Sequence, residues 1–422
     1  MLINFKETHP KGLYLLFFVE MWGRFSFYGM RALLVLYMVQ VLLFSHQKAG
    51  NIYGIYTGLV YLTPLIGGYL ADRYFGQRKC ITAGAILMSL GLFTLAFGGS
   101  NLFLTALFLM ICANGCFKSN ISSVLGLLYG DDNSKKDSAF TIFYMGINLG
   151  AFLSPLICGT IAIKYGFEWG FASAGIGMLI GLFMYKICEN KLLGDIGLKP
   201  VKIKNEIQES EPENSNLKAL IILMLFTIPF WICFEQAGSS LTLFAEYQTN
   251  RSFLGYEIPT GYFQSLNPLF IITLAPIVSA FWEWLRKRQK EPTSVEKFVI
   301  ALFLMSISYI IMIFAGISAQ IGKVSPLWLV FAYFVMTVSE LCLSPIGLSL
   351  VSKLAPRKFL SLTMGCWFCT CFLGDLLAGV WAGKYGTLTS TQIFAPLAVL
   401  SFTAFIALLI IKPNLNKTLF NK

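Results

Sequence analysis

Charged residues are scarce in this chain. Of its 422 residues, 13% are Asp, Glu, Lys or Arg, whereas 56% are hydrophobic. A soluble domain contains about 25% charged residues, so this composition excludes a soluble protein and indicates a polytopic membrane protein. The sequence also lacks a Walker motif, which excludes ATP as the energy source, and it contains no motif that indicates an enzyme.

Histidine is almost absent, and the cysteines form no metal-binding pattern. The two histidines, His9 and His46, lie in polar flanks, and the ten cysteines lie mostly inside apolar segments. The densest cysteine group is Cys366, Cys369 and Cys371; no histidine lies near it, so we interpret these residues as helix packing rather than metal ligands. The net charge of +11 does not predict a nucleic-acid partner, because the basic residues stand in short loops between apolar runs.

Long apolar segments are the main feature that is present. A helix that crosses a bilayer needs about 20 apolar residues. Twelve segments meet this requirement, at approximately 12–43, 51–73, 79–98, 101–128, 138–163, 168–188, 217–245, 261–285, 297–318, 326–353, 358–383 and 391–411. The sequence therefore predicts an all-α membrane protein with two six-helix bundles, residues 1–188 and 217–422, joined by a polar cytoplasmic linker at 189–216.

The loops predict an orientation. With both termini on one side, 24 of the 32 Lys and Arg residues fall in loops on that side and five on the other. The positive-inside rule then places both termini in the cytoplasm, and we expect a monomer in an energised membrane, the bacterial inner membrane. Two six-helix halves are the layout of major facilitator transporters, whose substrate sites lie at the midplane between the halves.

The loop between the second and third segments supports this architecture. Residues 68–79 read GYLADRYFGQRK, which resembles the superfamily signature G-x-x-x-D-R-x-x-G-x-R-K. Glycines permit a tight turn, and Asp72 can pair with basic residues or a helix end as the halves move. We expect a cytoplasmic gate here, whose residues are Gly68, Asp72, Arg73 and Gly76; a plain interfacial turn is the alternative.

Seven charged residues lie in the interior of the predicted membrane segments, away from their ends. A charge in hydrocarbon costs roughly 2.5–3.5 kcal/mol on insertion scales, so these side chains should face a cavity or partner charges. The first half contains Glu20, Arg24, Arg31 and Lys118, and the second half contains Glu235, Glu340 and Asp375. One wall would be mostly cationic and the other anionic, which suits a substrate with a carboxylate and an amine. Mutual pairing as structural staples is the alternative, although buried pairs stabilise little.

These residues carry a family resemblance that spans nearly the whole chain. It rests on residues 20–25, 28–31, 118, 143–150, 234–236, 263–268 and 340–345. The chain resembles the proton-dependent oligopeptide transporters, the peptide transporter family. The resemblance implies uptake of di- and tripeptides driven by the proton gradient, with protons, peptide and the lipid bilayer as partners and with no cofactor.

The resemblance also implies a substrate site. Arg24 and Lys118 would hold the peptide carboxylate, and Asn148, Asn267 and Glu340 would hold the amino terminus. Two tyrosines would line the pocket and two tryptophans would shape the space for peptide side chains; they are Tyr28, Tyr61, Trp231 and Trp367. Two gates that respond to protonation are implied as well, formed by Arg31 with Glu235 and by Lys118 with Glu340.

Three features depart from the family pattern: position 23, Phe27 in place of the first Tyr of a Tyr-Tyr pair, and a 189–216 linker without room for the two extra helices that many bacterial members carry between the halves. The family has Glu-x-x-Glu-Arg in its first helix, and the second Glu is Gly23 here; that carboxylate is implicated in proton coupling. Glu20 and Glu235 then remain the leading proton carriers, and we hypothesise that Asp375 partly compensates.

Three other functions stay open at this stage. The loss of a carboxylate at position 23 favours an uncoupled peptide facilitator or exchanger. The bipolar cavity would also fit another small zwitterionic metabolite, because charge alone does not define substrate length. A non-transporting peptide sensor is the remaining alternative.

Overall fold

The computed structural model describes residues 9–129, 133–200, 214–253, 255–354 and 360–420. Helices dominate these ranges. In chain order they are α1 Lys11–Gln40, α2 His46–Leu70, α3 Gln77–Phe97, α4 Phe103–Tyr129, α5 Asn133–Tyr165, α6 Phe167–Leu193, α7 Asn214–Phe234, α8 Ser240–Tyr247, α9 Leu266–Lys287, α10 Ser294–Ser318, α11 Leu327–Leu354, α12 Leu360–Ala382 and α13 Ser390–Phe420. The strands of the described residues are β1 Ser252–Phe253 and β2 Tyr256–Glu257, which pair antiparallel.

Eleven helical spans in the described residues are long and apolar enough to cross a membrane. One of them, Leu217–Tyr247, combines α7, a 3₁₀ turn at Glu235–Gly238 and α8. Helix α1 is not among the eleven, and its three buried charges lower its hydropathy. With 30 residues it is about 45 Å long, which suffices to span a bilayer. The prediction of an all-α, multi-pass membrane protein is confirmed.

The helices form two compact units. Unit 1 contains residues 1–37 and 59–204, and unit 2 contains 38–58 and 205–422. The end of α1 and the first half of α2 therefore pack with the second unit, whereas the predicted boundaries place residues 38–58 in the first bundle. Helix α6 continues to Leu193, so the predicted linker begins as helix, and its residues 201–213 lie outside the described residues.

Close glycine contacts hold the helices together within each unit. In unit 1, Gly67 of α2 lies against the backbone of Gly115 of α4, and a side chain at Gly67 would collide with it. In unit 2, Gly50 of α2 and Gly379 of α12 make the same kind of backbone contact. Small residues let membrane helices approach closely. The resulting van der Waals packing stabilises the contact between the helices, because no hydrophobic driving force brings helices together inside lipid.

Candidate functional site

Helix α1 carries a buried ion pair. Glu20 and Arg24 stand four residues apart, a spacing that places side chains on the same helix face. The Arg24 Nε–H donates to Glu20 Oε1 at 2.6 Å, and the two residues are 9% and 0% exposed. The second carboxylate oxygen, Glu20 Oε2, is buried and has no hydrogen-bond partner among the described residues.

The two other predicted cations of unit 1 lie over tyrosine rings. The Arg31 guanidinium is 5.8 Å from the centre of the Tyr28 ring, and the Lys118 ammonium is 4.4 Å from the centre of the Tyr61 ring. Cation–π contacts of this kind contribute about 0.5–2 kcal/mol, more when desolvated. The structure therefore brings each predicted pocket tyrosine next to a predicted cation. The contact of Tyr28 with Arg31 follows from their spacing of three residues on α1, whereas the contact of Tyr61 with Lys118 was not indicated by the sequence.

Asn148 of α5 is buried and bonded to its own helix. Its Nδ2 donates to the carbonyl of Tyr144 at 2.9 Å, the carbonyl one turn earlier. Its role as a ligand for a peptide amino terminus stays a prediction.

In unit 2 the structure joins two of the predicted amine-binding residues. Asn267 Nδ2 donates to Glu340 Oε2 at 2.8 Å and to the Thr337 hydroxyl at 3.1 Å. The three side chains come from α9 and α11, and an amide–carboxylate pair of this kind presents oxygen acceptors that an ammonium group can use. Thr337 was not expected from the sequence; it lies three residues before Glu340, on the same helix face.

The two other acids of unit 2 are almost fully buried. Glu235 begins the 3₁₀ turn that separates α7 from α8, and Asp375 lies on α12, each with 1% of its surface exposed. The backbone carbonyl of Asp375 lies 2.8 Å from the position that a Cβ on Gly54 would occupy. Asp375 is thus fixed where α12 meets the first half of α2.

Each predicted pocket tryptophan lies on a glycine. The Trp367 ring is in contact with Gly347 of α11, and Trp231 of α7 is in contact with Gly374 of α12. Both indoles are buried, and the Trp231 Nε1–H has no hydrogen-bond acceptor among the described residues. An unused buried donor is costly, so an acceptor on a ligand would stabilise it.

The predicted gate motif forms a turn of unusual geometry. Residues Ala71–Phe75 form a π-helical turn at the end of α2, and Gly76 follows with φ +80°, where only glycine is unstrained. The Asp72 carboxylate accepts from Gln77 Nε2 at 2.7 Å, and the Arg73 guanidinium donates to the Tyr69 hydroxyl at 3.1 Å. Pairing of Asp72 with an amide, rather than with a basic residue, was not anticipated.

Sequence reasoning assigned no role to Arg78, the buried arginine near the end of this motif. Arg78 pairs with Glu189 of α6 at 3.1 Å and donates to the Gly194 carbonyl at 2.6 Å and to the Asn190 side chain. Glu189 also accepts from Lys186. The motif contains Arg78, but Glu189 was assigned to the polar linker because it follows an apolar segment directly. The signal that could have indicated this pair is an acidic residue, Glu189, directly at the end of a predicted membrane segment.

A second unassigned arginine lies in unit 2, in the segment after α8. Arg251 is buried and pairs with Glu246 at 3.2 Å and with Glu257 of β2 at 2.9 Å. Glu246 also accepts from Gln40 at 3.1 Å and from the Thr260 hydroxyl. This cluster ties the end of α1 to α8 and to the β-hairpin within unit 2.

Comparison with known proteins identifies the fold and the family. A family model described as the POT family matches residues 78–193 and 199–396. The peptide transporter YePEPT of Yersinia enterocolitica is 35% identical to this chain, over 89% of this chain and 88% of its own length. A di-/tripeptide transporter of Lactococcus lactis is 34% identical, over 97% and 96%. The crystal structure of the peptide transporter POT in complex with sulfate matches with a TM-score of 0.91 and 32% identity, over 97% of this chain and 96% of its own. The predicted major facilitator fold is thereby confirmed.

Proposed function

We propose that this chain, which belongs to the POT family, imports di- and tripeptides together with protons by alternating access. The chain is a transporter and not an enzyme. Within the family fold, the observation that carries the proposal is the set of cations inside the membrane helices of unit 1, of which Arg24 and Arg31 are buried. Arg24 pairs with a carboxylate, and Arg31 and Lys118 each lie over a tyrosine ring. A charge inside a membrane segment is energetically costly and is therefore by default a functional residue.

The substrate site that we propose uses both ends of the peptide. Arg24 and Lys118 bind the carboxylate, since a guanidinium and an ammonium form strong charge-assisted hydrogen bonds with it. Glu340 and Asn267 bind the amino terminus, and their 2.8 Å hydrogen bond supports a shared role. Asn148 completes the amino-terminal ligands. Four aromatic side chains shape the remaining pocket; they are Tyr28, Tyr61, Trp231 and Trp367.

We propose Glu20 as the principal proton carrier of unit 1. Its carboxylate pairs with Arg24 through one oxygen and leaves Oε2 buried without a partner among the described residues. Binding of a peptide carboxylate by Arg24 would weaken the pair and favour protonation of Glu20. Glu235 and Asp375 are the proposed acids of unit 2, and the gating pairs Arg31 with Glu235 and Lys118 with Glu340 belong to the same proposal.

The proposed setting is a bacterial inner membrane, with both termini cytoplasmic and the chain working as a monomer. The excess of Lys and Arg in the loops on the terminal side supports this orientation. Movement of one elementary charge across 100 mV is worth about 2.3 kcal/mol, which would sustain a roughly 40-fold accumulation of peptide.

Uptake of labelled dialanine into proteoliposomes tests the proposal. With an inward proton gradient we expect accumulation above equilibrium that disappears with an uncoupler. Flux that only equilibrates the peptide would favour the second candidate function, an uncoupled facilitator. Gly23 favours this candidate because the α1 face has one carboxylate fewer than the family pattern. No flux of dialanine would contradict peptide transport and favour another small zwitterion or a binding protein.

A further inference from the structure

The inference concerns the contact between α1 and α4 in unit 1. Phe117 of α4 is 3% exposed, and its ring lies against the backbone of Gly23 of α1. A Cβ on Gly23 would lie 2.6 Å from Phe117 Cε1 and 2.9 Å from Cζ. Carbon atoms in contact are normally about 3.5–4.0 Å apart, so the ring occupies the volume that a side chain at position 23 would need.

A second glycine fixes the other side of Phe117. A Cβ on Gly84 of α3 would lie 2.9 Å from Phe117 Cβ and 2.9 Å from the Phe117 backbone nitrogen. Phe117 is therefore held between α3 and α1, and its ring is the spacer that sets how closely α4 approaches α1. Interiors packed at this density transmit a change of side-chain volume to the backbone.

The position of this spacer matters because of its sequence neighbours. Arg24 follows Gly23 directly, and Lys118 follows Phe117 directly. The contact thus joins the two helices at the level of both cations. A change in the spacing of α1 and α4 at this point moves the backbone of Arg24 relative to that of Lys118.

The contact between α4 and α2 is independent of this spacer. The Thr63 hydroxyl donates to the Ile111 carbonyl at 3.0 Å, and the Ser119 hydroxyl donates to the Pro64 carbonyl at 3.1 Å. These bonds hold α4 on α2 and keep Lys118 over the Tyr61 ring. A smaller side chain at Phe117 should consequently leave that cation–π contact in place and alter the spacing of the two cations.

We infer that Phe117, seated on Gly23, is a positioning residue for substrate binding, which sets the separation of Arg24 and Lys118 to fit one peptide carboxylate. The inference rests on the proposed function, in which these two cations bind that carboxylate. Phe117 is 3% exposed and packs between helices, so its effect would act through the two cations and be specific for the carboxylate end of the peptide.

The test compares two ligands that differ only at this end, dialanine and dialanine amide. In the Phe117→Leu variant we expect the KM and Kd for dialanine to rise about tenfold, the equivalent of about 1.4 kcal/mol. The values for the amide and the maximal rate should change less than about twofold, the equivalent of about 0.4 kcal/mol. The double variant Gly23→Ala/Phe117→Leu should recover part of the affinity for dialanine, because the added methyl group refills part of the space.

Phe103→Leu is the matched control. Phe103 lies on the same helix, is 1% exposed and contacts Tyr37, about four helical turns from Lys118. It should lower thermal stability and leave the ratio of acid to amide affinity unchanged. If Phe117→Leu is not recovered as a monodisperse protein, Phe117→Met serves as the second variant; its unbranched side chain is smaller than the phenyl ring and should shift the ratio in the same direction.

Three results would overturn the inference. If Phe117→Leu and Phe103→Leu weaken both ligands equally, Phe117 has only a structural role. If the ratio of acid to amide affinity in Phe117→Leu equals that of the wild type, the spacing of the cations does not depend on this ring. A wild type that binds the acid and the amide equally would instead contradict the proposed carboxylate site, and the inference with it.

Discussion

Glu20→Gln is the substitution that most sharply separates the structural role of the α1 ion pair from its role in proton coupling. The glutamine side chain keeps an oxygen that can accept from Arg24 Nε, but it carries no negative charge and takes up no proton near neutral pH. Glu20 is fully buried, so water does not replace the lost charge. The variant therefore retains the shape of the site and removes its proposed proton carrier.

The magnitude follows from the 2.6 Å pair. Arg24 stays cationic in Glu20→Gln, so the variant loses the buried counter-charge but keeps a hydrogen bond to a charged group, which contributes about 1.5–3 kcal/mol. Glu20→Gln should thus cost roughly 2 kcal/mol of stability, less than removal of the whole pair. Glu20→Ala removes the acceptor as well and leaves a buried cation unpaired, at a cost of about 3–5 kcal/mol. Thermal unfolding of the purified protein should therefore show a small decrease for the glutamine variant and a large decrease for the alanine variant.

Two transport assays on proteoliposomes complete the experiment. Gradient-driven accumulation of dialanine should be lost in Glu20→Gln, whereas exchange of labelled for unlabelled peptide, which needs no net proton movement, should persist. Glu283→Gln is the control, since Glu283 also pairs with a basic residue one turn later, Lys287 at 3.6 Å. That pair is largely exposed, and such pairs contribute about 0–1 kcal/mol, so neither assay should change.

The reasoning about Glu20 is refuted if the glutamine variant accumulates dialanine as the wild type does. Loss of both accumulation and exchange would also count against it, because it would assign to Glu20 a role in substrate binding or folding rather than in coupling.

Three further predictions concern other parts of the chain. Asp375→Asn should reduce gradient-driven uptake while exchange continues, and unchanged uptake would show that Asp375 does not compensate for the missing carboxylate. Arg78→Ala breaks a buried pair with Glu189 and should lower stability by about 3–5 kcal/mol, whereas Arg73→Ala, at an exposed site, should cost less than about 1 kcal/mol; equal unfolding midpoints for the two variants would contradict this. Gly23→Glu should strongly destabilise the protein, because the Phe117 ring occupies the space of the new side chain; a stable variant with wild-type uptake would show that the ring moves aside easily.

The membrane helices could be predicted from the sequence because hydrocarbon requires long apolar segments. The segment predicted at 12–43 corresponds to α1 at Lys11–Gln40, despite its three charges. Boundaries were less accurate. The seventh segment is broken by a 3₁₀ turn at Glu235–Gly238, and Glu189 belongs to α6 rather than to the linker. The turn and the end of α6 both depend on contacts of individual residues, which the length of an apolar segment does not indicate.

The charged residues of the proposed site stand out in the sequence, because a charge in a membrane segment is costly. Their partners do not. Three contacts join residues that lie far apart in the chain: Tyr61 with Lys118, Arg78 with Glu189, and Phe117 with Gly23. Such contacts depend on how the helices pack. The packing depends on close contacts of glycines, and the sequence alone does not indicate which helix each glycine contacts.

Direct detection of proton movement tests the central claim most directly. Proteoliposomes that contain a pH-sensitive dye receive an outside pulse of dialanine, with no pH gradient imposed and the membrane potential clamped at zero. We expect acidification of the lumen that starts with the peptide pulse and is absent with empty liposomes. Entry of labelled dialanine at the same rate without acidification would contradict proton-coupled import.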